Sequence, residues 1–435
     1  MGGFCIINYF KKIKDDNYLI FFIINDEFII KTFSEINPLF HVIKRIIRYQ
    51  AKVLFHFFQF IIHFPRNFNK QNKIIFYSIS KNNYDSIYPI YEQVKEKSYL
   101  LSSDYRLSGK SNTIPMFLPL VASLIFIPFL LVFFFYSDKI NKQRIILYLD
   151  EILLSTGFRL FTKPYLKWIR PVGIVISHDQ SFYGRVLIKI AETNGIPCFF
   201  VQHSAVTEAF PSLITSYALL KGKDSLDKYF PNGYNTDKVF LIGSPKFDKY
   251  KLDVNKNIKM KSVGICSTSS MEKNQVIKLV MVLKNQISND NIFFRPHPGE
   301  MISKKYNDQR VFDGIQFSNS LIENSFNYCK NIDVIIAGNS SILLEAAMLN
   351  VYPILWRDSN SITKYNDDPS DKYGFIKNGL AVPCDSISEI IDCLEKVKIK
   401  KPDVRTNASL YIKNINTDWD GQSADYAATI IKNNI

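Results

Sequence analysis

The feature that most constrains the fold is a regular alternation of short β-branched or aromatic runs with amphipathic helical segments. Strands that alternate with helices form parallel sheets joined by right-handed crossovers. The alternation pauses at residues 246–261, which are rich in Lys, Asp and Asn and look like a linker. The pattern therefore predicts an α/β protein with two Rossmann-like domains that face a cleft. The predicted strands are 73–79, 98–102, 145–150, 173–177, 197–202, 217–221 and 238–242 in the first half, and 262–266, 291–295, 314–317, 333–337, 352–356 and 380–382 in the second.

This pattern also suggests domain borders. Residues 1–72 form a basic, apolar, helical N-terminal region, and residues 73–250 form the first Rossmann-like domain with an apolar insertion at 114–136. Residues 251–420 form the second domain. Residues 421–435 form a C-terminal helix, and one alternative is that this helix crosses back to the first domain.

The N-terminal region has the pattern of a basic amphipathic helix. Residues 36–64 carry Lys44, Arg45, Arg48 and Lys52 among bulky apolar side chains. This is typical of a helix that lies on an anionic membrane surface. An ordinary surface helix packed on the body of the protein is an equal alternative.

The insertion at 114–136 is 23 residues without a charge, long enough to cross a bilayer. Two observations argue against a simple span. The strands at 73–79 and 145–150 are expected in one sheet, and Pro115, Pro119 and Pro128 interrupt a straight helix. We therefore favour a helical hairpin or monotopic insertion into one leaflet, with a buried core helix and a true span as alternatives.

Charge and cysteine usage limit the partners and the compartment. The formal net charge is +14, from 54 Lys and Arg against 40 Asp and Glu, which favours a phosphate-bearing substrate or an anionic lipid surface. No zinc-knuckle spacing, RNP-like motif or dense basic tail is present, so nucleic acid is not expected. The six cysteines are scattered without CxxC, as in a reducing compartment. No secretory signal is recognisable, so we expect a cytoplasmic location, peripheral or monotopic on the membrane.

Two loops in the second half carry the donor-site prediction. Arg295-Pro296-His297-Pro298 follows a predicted strand, and its prolines make the loop stiff. Arginine holds phosphate bidentately, and histidine donates a hydrogen bond to phosphate or to a leaving oxygen. The alternative is a tight proline turn with a surface histidine.

The second loop is Gly338-Asn339-Ser340-Ser341, directly before a predicted helix. Backbone N–H groups at a helix start, together with two hydroxyls, make an anion site, although Asn and Ser are also preferred helix caps. Glu345, one turn later, is placed to accept from ribose hydroxyls. Ser269, in the hydroxyl-rich run 267–270, is a third donor contact or a capping residue.

The first half offers candidates for a general base, which an inverting transfer needs near the acceptor hydroxyl. Asp179 is the first choice, His203 the second, and the Asp150-Glu151 pair the third. His178 lies beside them on the acceptor side, and Arg185 is placed to meet an acidic acceptor or a phosphate. The alternative for each residue is a strand-end cap or a structural hydrogen bond.

Absent motifs exclude other enzyme classes. No GxxxxGK[ST] is present, and no GxGxxG follows the first strand of either half, which argues against P-loop nucleotidases and nicotinamide dehydrogenases. The histidines lack metal-ligand spacing, so no bound metal is predicted.

The combination of RPHP at 295–298, GNSS at 338–341 with Glu345, SHDQ at 177–180 and VQHS at 201–204 resembles a known family. It is similar to GT-B glycosyltransferases of bacterial surface polysaccharides with HP and SS motifs. These include sialyl- and polysialyltransferases, capsular Kdo transferases and CDP-glycerol glycerophosphotransferases. The resemblance covers residues 73–400.

The resemblance implies that His297, Ser340 and Ser341 bind the phosphate of a cytidine nucleotide, and that an acidic residue or histidine is the base. It implies no metal or other cofactor, since the nucleotide-activated sugar is the substrate. Two positions depart from the family. Ser204 stands where many relatives have Gly in QHG, and Ile152 follows Asp150-Glu151 where the sialyltransferase motif has Gly.

The sequence therefore predicts a metal-independent inverting glycosyltransferase of capsule, lipopolysaccharide or teichoic-type synthesis. It would move a sugar or polyol phosphate from a cytidine-nucleotide donor to a glycan or lipid-linked acceptor at the inner face of the cytoplasmic membrane. The alternatives are a UDP-sugar transferase, an enzyme like UDP-GlcNAc 2-epimerase, and a non-catalytic nucleotide- or glycan-binding assembly protein.

Overall fold

The computed structural model describes residues 24–62, 72–104, 107, 111–114, 116–179, 181–208, 210, 212–268, 271–306, 310–357, 368 and 370–435. Their strands form two parallel sheets, which confirms the predicted α/β class with two Rossmann-like domains. The first sheet has seven strands in the order β3-β2-β1-β4-β5-β6-β7, and the second has six in the order β10-β9-β8-β11-β12-β13. The strands are β1 (Ile74–Ser78), β2 (Ser98–Ser102), β3 (Asn112–Thr113), β4 (Gly173–Ile176), β5 (Cys198–Val201), β6 (Tyr217–Leu220), β7 (Val239–Leu241), β8 (Val263–Cys266), β9 (Ile292–Arg295), β10 (Gln316–Phe317), β11 (Val334–Ala337), β12 (Tyr352–Trp356) and β13 (Val382–Cys384).

The central strands are buried on both faces because helices cover each sheet. Every residue of β1 and of β11 is buried, and their sequences, IIFYS and VIIA, are continuous apolar runs rather than alternating ones. This is the composition of a parallel strand covered on both sides. In register, Phe76 lies opposite Leu100 of β2 and Val175 of β4.

The helices fill the connections between these strands. They are α1 (Asp26–Ser34), α2 (Pro38–Ile62), α3 (Lys81–Gln93), α4 (Phe117–Ser123), α5 (Ile127–Tyr136), α6 (Lys139–Ile169), α7 (Phe182–Thr193), α8 (Lys223–Tyr229), α9 (Lys273–Lys284), α10 (Pro298–Ile302), α11 (Ser325–Cys329), α12 (Ile342–Met348), α13 (Ile387–Ile399) and α14 (Ser423–Asn433). Short 3-10 helices lie at Lys95–Lys97, Leu124–Phe126, Pro245–Asp253, Asn289–Asn291, Arg310–Phe312 and Thr406–Leu410.

The predicted strand at 145–150 is wrong. These residues lie inside α6, a 31-residue helix with a kink at Tyr148. Asp138 caps the start of α6, since its Oδ1 accepts from the Asn141 N–H at 2.8 Å. Within the run IILYLD, Ile145, Leu147 and Asp150 are buried as part of a helix. Periodicity alone does not separate a short apolar helical segment from a buried strand.

The apolar insertion forms α4 and α5, joined by a 3-10 turn. Among the described residues, Phe117–Tyr136 is the one helical segment with the length and composition of a membrane span, and 22% of its most apolar stretch is buried. That low burial argues against a core helix. A single crossing would separate β1–β3 from β4, which is hydrogen-bonded to β1. Placement in one leaflet stays our preferred prediction.

Two segments cross between the domains, and they are bonded to each other. The first is the turn Pro245–Asp253 in the predicted linker, where Phe247 and Tyr250 are buried. The second is the segment that leads into α14, which packs with α3 on the first sheet. Lys251 Nζ donates to the Asp420 carbonyl at 2.6 Å, and Asp248 accepts from the N–H groups of Ser423 and Ala424 at 3.1 and 2.7 Å.

Candidate functional site

The strand orders locate the crevice in each domain. In both sheets the order reverses next to the first strand, between β1 and β4 and between β8 and β11. Ligands of open α/β sheets bind outside the carboxyl ends of the strands at this reversal. The residues that follow these strands and their neighbours are the ones that the sequence singled out around His178, His203, His297 and Ser340.

Three loops of the second domain meet at the end of β8. Glu300 Oε2 accepts from Ser267 Oγ at 2.5 Å and from the His297 N–H at 3.1 Å, which ties the loop after β9 to the loop after β8. On the other side, a Cβ at Gly338 would lie 3.0 Å from Thr268 Oγ1. The loops after β8, β9 and β11 therefore form one surface, as the sequence predicted.

His297 caps α10 and keeps one ring nitrogen available. Its Nδ1 accepts from the Gly299 N–H at 3.1 Å, and the side chain is exposed. In the neutral ring, Nδ1 as acceptor leaves the proton on Nε2, which becomes a donor. Pro298 is the first residue of α10 and fixes the turn of the backbone there. A donor phosphate would be within the reach of a stiffly held N–H.

The serine pair lies at the start of α12. Ser340 and Ser341 are half-buried, and Ser340 Oγ accepts from the Ile342 N–H at 3.4 Å. Asn339 Oδ1 accepts from the Lys372 N–H at 3.0 Å, so this side chain fixes a neighbouring loop. Because α12 has only seven residues, its dipole is small, and an anion at this loop would depend mainly on the two hydroxyl groups.

Two donor-side predictions need correction. Arg295 is buried, and its guanidinium donates to Ser318 Oγ at 2.6 Å and to the Glu323 carbonyl at 2.9 Å. It therefore holds the 318–323 loop instead of presenting a free fork to phosphate. Glu345 is likewise occupied, since it accepts from Lys246 Nζ at 2.9 Å. Burial acts to raise the pKa of Glu345, but Lys246 outweighs it and the pKa is lowered. Ser269 lies outside the described residues.

On the first domain, two histidines stack at the ends of β4 and β5. The rings of His178 and His203 lie 5.4 Å apart, and both side chains are half-buried. His178 Nδ1 accepts from the Ser181 N–H at 3.1 Å. Burial lowers the pKa of His178 to about 4, so the ring is neutral at physiological pH and donates from Nε2.

The second ring of the pair, His203, also has a lowered pKa. Burial, with the charges of Lys221 and Lys246 and the His178 ring, lowers its pKa well below 6.5. The Ser177 backbone acts in the other direction and favours the protonated ring. Nδ1 is buried and has no hydrogen-bond partner in the described part of the chain, so a neutral ring offers a proton acceptor only where that atom becomes accessible.

Asp179 lies behind this pair. Its side chain is 2% exposed, and Arg185 beside it is fully buried in α7. Burial raises the pKa of Asp179 to about 6, although the Arg185 charge acts in the other direction. The carboxylate therefore does not reach the cleft in this conformation. Asp179 as leading base and His203 as second choice stay predictions, and the fully buried Arg185 is not placed to meet an acceptor.

The third base candidate was placed at a strand end, and that placement is wrong. Asp150 is buried in α6, where it accepts from Arg45 and Lys52, each at 2.7 Å. Arg45 also lies 3.6 Å from Glu151. Burial acts to raise the pKa of Asp150, but Lys52 and Arg45 outweigh it and the pKa is lowered. The pair belongs to an ion cluster with α2.

Two lysines that the sequence analysis missed lie between the domains. Lys221 Nζ donates to the His203 carbonyl at 2.9 Å, and burial lowers its pKa to about 8. Lys246 bonds to Glu345 of α12 and lies near His203 and Lys221. Lys221 directly follows the apolar run 217–220, so its strand-end position was a signal within the sequence. Across the described ranges, no group of three or more His, Cys, Asp and Glu is placed to hold a metal ion.

No protein-family model and no curated protein matches this chain. Several solved structures are similar to it in fold. The Staphylococcus aureus MnaA–UDP co-structure has a TM-score of 0.56 at 11% identity, over 83% of this chain and 96% of that one. UDP-GlcNAc 2-epimerase from Neisseria meningitidis bound to UDP-GlcNAc has a TM-score of 0.53 at 11% identity, over 83% and 100%.

The wall teichoic acid polymerase TagF, in a structure with CDPG, has a TM-score of 0.52 at 11% identity, over 90% of this chain and 97% of that one. At such identities the likeness concerns the fold. It confirms the GT-B arrangement of two Rossmann-like domains.

Proposed function

We propose that the chain is a metal-independent inverting transferase of bacterial surface-polysaccharide synthesis, working at the inner face of the cytoplasmic membrane. Its donor would be a cytidine-nucleotide-linked sugar or polyol phosphate, and its acceptor a glycan or lipid-linked glycan. One observation carries the proposal. The charge of Lys246 acts on His203 of the first domain, and Lys246 is itself bonded to Glu345 of the second domain. The histidine pair of one domain and the start of α12 in the other thus share one lysine between them.

In the proposed reaction the acceptor hydroxyl loses its proton to His203 Nδ1, which is buried in this conformation and must become accessible for the step, while the hydroxyl oxygen attacks the anomeric carbon of the donor. The bond between that carbon and the phosphate oxygen breaks, and the electron pair leaves with the phosphate. His297 Nε2–H and the hydroxyls of Ser340 and Ser341 receive the developing charge. Lys221 and Lys246 add positive charge on the opposite side. For a polyol phosphate donor the attack is on phosphorus and the same groups act.

Pre-oriented donors and fixed cations in a partly dry cleft are the largest contribution that such a site makes to rate. The low pKa of His203 keeps its imidazole neutral and ready at neutral pH, although it also makes the base weak. Asp179 would act behind His178 as a positioning residue, through the backbone of their shared loop.

A second candidate is chemistry on a UDP-linked sugar, either transfer or 2-epimerisation. The similar structures with UDP and UDP-GlcNAc favour it. Transfer remains first because the first domain carries a broad exposed apolar surface on α2, α4 and α5. A lipid-linked acceptor would contact that apolar surface, whereas a soluble, polar sugar nucleotide would not.

The donor can be tested by measuring thermal stabilisation with CMP, CDP, UDP and GDP. We expect the cytidine nucleotides to stabilise most, by mass action on the folded state. Preferential stabilisation by UDP would refute the cytidine assignment. Conversion of UDP-GlcNAc to its 2-epimer, followed by NMR, would refute transfer as the main activity.

The site can be tested by nucleotide release from the preferred donor in the presence of a glycan acceptor. We expect His203→Ala and His297→Ala to abolish most release, and His56→Gln, in α2 away from the cleft, to leave it unchanged. If both cleft variants release nucleotide at the wild-type rate, the proposed site is wrong.

A further inference from the structure

An apolar groove of about 850 Å³ lies between α2, α5 and α6, outside the nucleotide cleft. Its size is within the range of about 300–1,000 Å³ that is usual for ligand pockets. Side chains on three helices form its walls: Ile46 and Val53 from α2, Leu131 and Phe134 from α5, and Ile146 and Leu149 from α6. The three polar side chains that reach it are Arg45, Gln50 and Asp150.

The groove is a built feature, because its walls are fixed to the domain. Tyr49 of α2 is buried and bonds to the Leu120 carbonyl and to Ser123 Oγ of α4, each at 2.5 Å. A Cβ at Gly157 of α6 would lie 1.9 Å from the Pro119 carbonyl, so α4 packs directly on the α6 backbone. A helix packed only loosely on the surface would have neither the buried Tyr49 hydrogen bonds nor this close backbone approach.

One basic side chain of α2, Arg45, lines the groove, and two more reach its edge through Asp150. Arg45 and Lys52 bind Asp150 at 2.7 Å, and Arg48 lies 3.7 Å from it with half of its side chain exposed. With Glu151 the cluster has three cations and two carboxylates. It therefore retains a positive charge next to an apolar groove, which is the complement of an anionic head group on a hydrocarbon chain.

The groove opens within the exposed apolar surface of the same helices. Ile47 of α2 is 59% exposed, and Phe135 of α5 is 72% exposed. Soluble proteins rarely expose apolar patches larger than a few hundred Å² unless the patch binds something. The surface and the groove are thus continuous, and lipid would enter the groove from the surface.

The ion cluster is also close to the acceptor side of the cleft. Tyr183 lies at the start of α7, just after the His178 loop, and its ring packs on Phe158 of α6 at 5.0 Å. Burial, then Tyr77, Glu151 and Asp150, raise the pKa of Tyr183. Both carboxylates of the cluster are therefore near the loop that carries His178.

We propose that this groove binds the hydrocarbon tail of the lipid that carries the acceptor, with the lipid phosphate at Arg48 and its neighbours. This inference rests on the proposed transferase function and gives it a substrate class. The acceptor would be a phosphate-linked lipid whose tail leaves the bilayer surface for α2, α5 and α6, while its glycan reaches the histidine pair.

The test is calorimetric titration of the full chain with dodecyl phosphate below its micelle concentration. We expect one equivalent to bind, more tightly than dodecyl maltoside, with no heat from inorganic phosphate. Ile146→Trp fills the groove, and we expect it to weaken dodecyl phosphate about tenfold, the loss of roughly two buried methylenes. Ile47→Trp, the same change on the exposed face, is the matched control and should bind like wild type.

Arg48→Gln should weaken dodecyl phosphate but not dodecyl maltoside, since it removes charge alone. Co-sedimentation with phosphatidylcholine vesicles, with and without phosphatidylglycerol, separates the groove from the surface. We expect Ile146→Trp to sediment like wild type and Phe135→Glu to sediment less. Binding of many equivalents, or equal effects of Ile146→Trp and Ile47→Trp, would show that the surface meets bulk lipid only and would overturn the proposal.

These titrations use no nucleotide and no transfer reaction. Absence of transferase activity with intact, groove-dependent binding would therefore overturn the proposed function and not the groove. Activity on a soluble acceptor without groove-dependent binding would overturn the groove proposal and leave the proposed function standing.

Discussion

Replacing Asp179 by Asn should remove a pH dependence from the stability of the first domain. The wild-type carboxyl has a pKa of about 6 in the folded chain, against 3.8 ordinarily, because it is buried. A carboxyl with a raised pKa binds its proton more tightly in the folded state. Its contribution to stability is therefore full below about pH 4 and is lost as pH rises through about 6.

The magnitude follows from the two pKa values. A folded-state pKa of about 6 instead of 3.8 corresponds to about 3 kcal/mol between the acid and alkaline limits. About half of this, on the order of 1 kcal/mol, falls between pH 5 and pH 8. The groups that face Asp179 do not distort the comparison, since Arg185 stays charged and burial keeps Tyr229 neutral in this range by raising its pKa.

The assay is urea unfolding of wild type and Asp179→Asn at pH 5 and pH 8. We expect the free energy of unfolding of the variant, relative to wild type, to rise by on the order of 1 kcal/mol from pH 5 to pH 8. The offset at any one pH is a separate quantity, because Asn also leaves Arg185 without its counter-charge. Asp237→Asn, an exposed aspartate of the same domain, should keep a constant difference from wild type. A constant difference for Asp179→Asn as well would refute the assignment of a raised pKa.

Three further outcomes follow from the site. His297→Asn should retain stability within about 0.5 kcal/mol of wild type, since Asn also caps a helix, but should slow nucleotide release about 100-fold by removing the Nε2 donor; equal rates would contradict the phosphate contact. Lys246→Met should cost about 3 kcal/mol of unfolding free energy, because it leaves the buried Glu345 without its cation. Adding Glu345→Gln should recover most of that loss. As a control, Lys398→Met removes the cation of a more exposed pair and should cost less than about 1 kcal/mol. Because burial lowers the pKa of both cleft histidines, the rate should stay level from pH 7 to pH 6, below the Lys221 pKa of about 8, and a half-maximal rate near pH 6.5 would contradict His203 as the base.

The fold was predictable because its signal is local. Apolar runs such as 74–78 and 334–337 are too continuous for a half-exposed strand, and the helical segments between them force parallel connections. The failure at 145–150 has the same origin. A six-residue apolar run fits a buried strand or a buried helix, and the choice depends on the cap at Asp138 and on packing against α4.

Which loops lie together at a sheet edge was predictable, but the contacts of each side chain were not. His297 and Ser340 lie on adjoining loops because strand ends of one sheet share an edge. Whether Arg295 is free depends on Ser318, which is 23 residues away, and whether Glu345 is free depends on Lys246, 99 residues away. Such pairings are set by tertiary packing, and one sequence does not contain them in readable form.

The paired crossings determine which motion the cleft can make. A body attached at one point can swing in any direction, but two attachments that are bonded to each other act as a door hinge with a single axis. The bonds from Asp248 to Ser423 and Ala424 place that axis beside the Pro245 turn. Lys246 lies almost on the axis and would keep its distance to Glu345 as the domains open, whereas His297, out on its loop, would travel furthest. Opening about this axis would carry the His297 loop away from the histidine pair of the first domain.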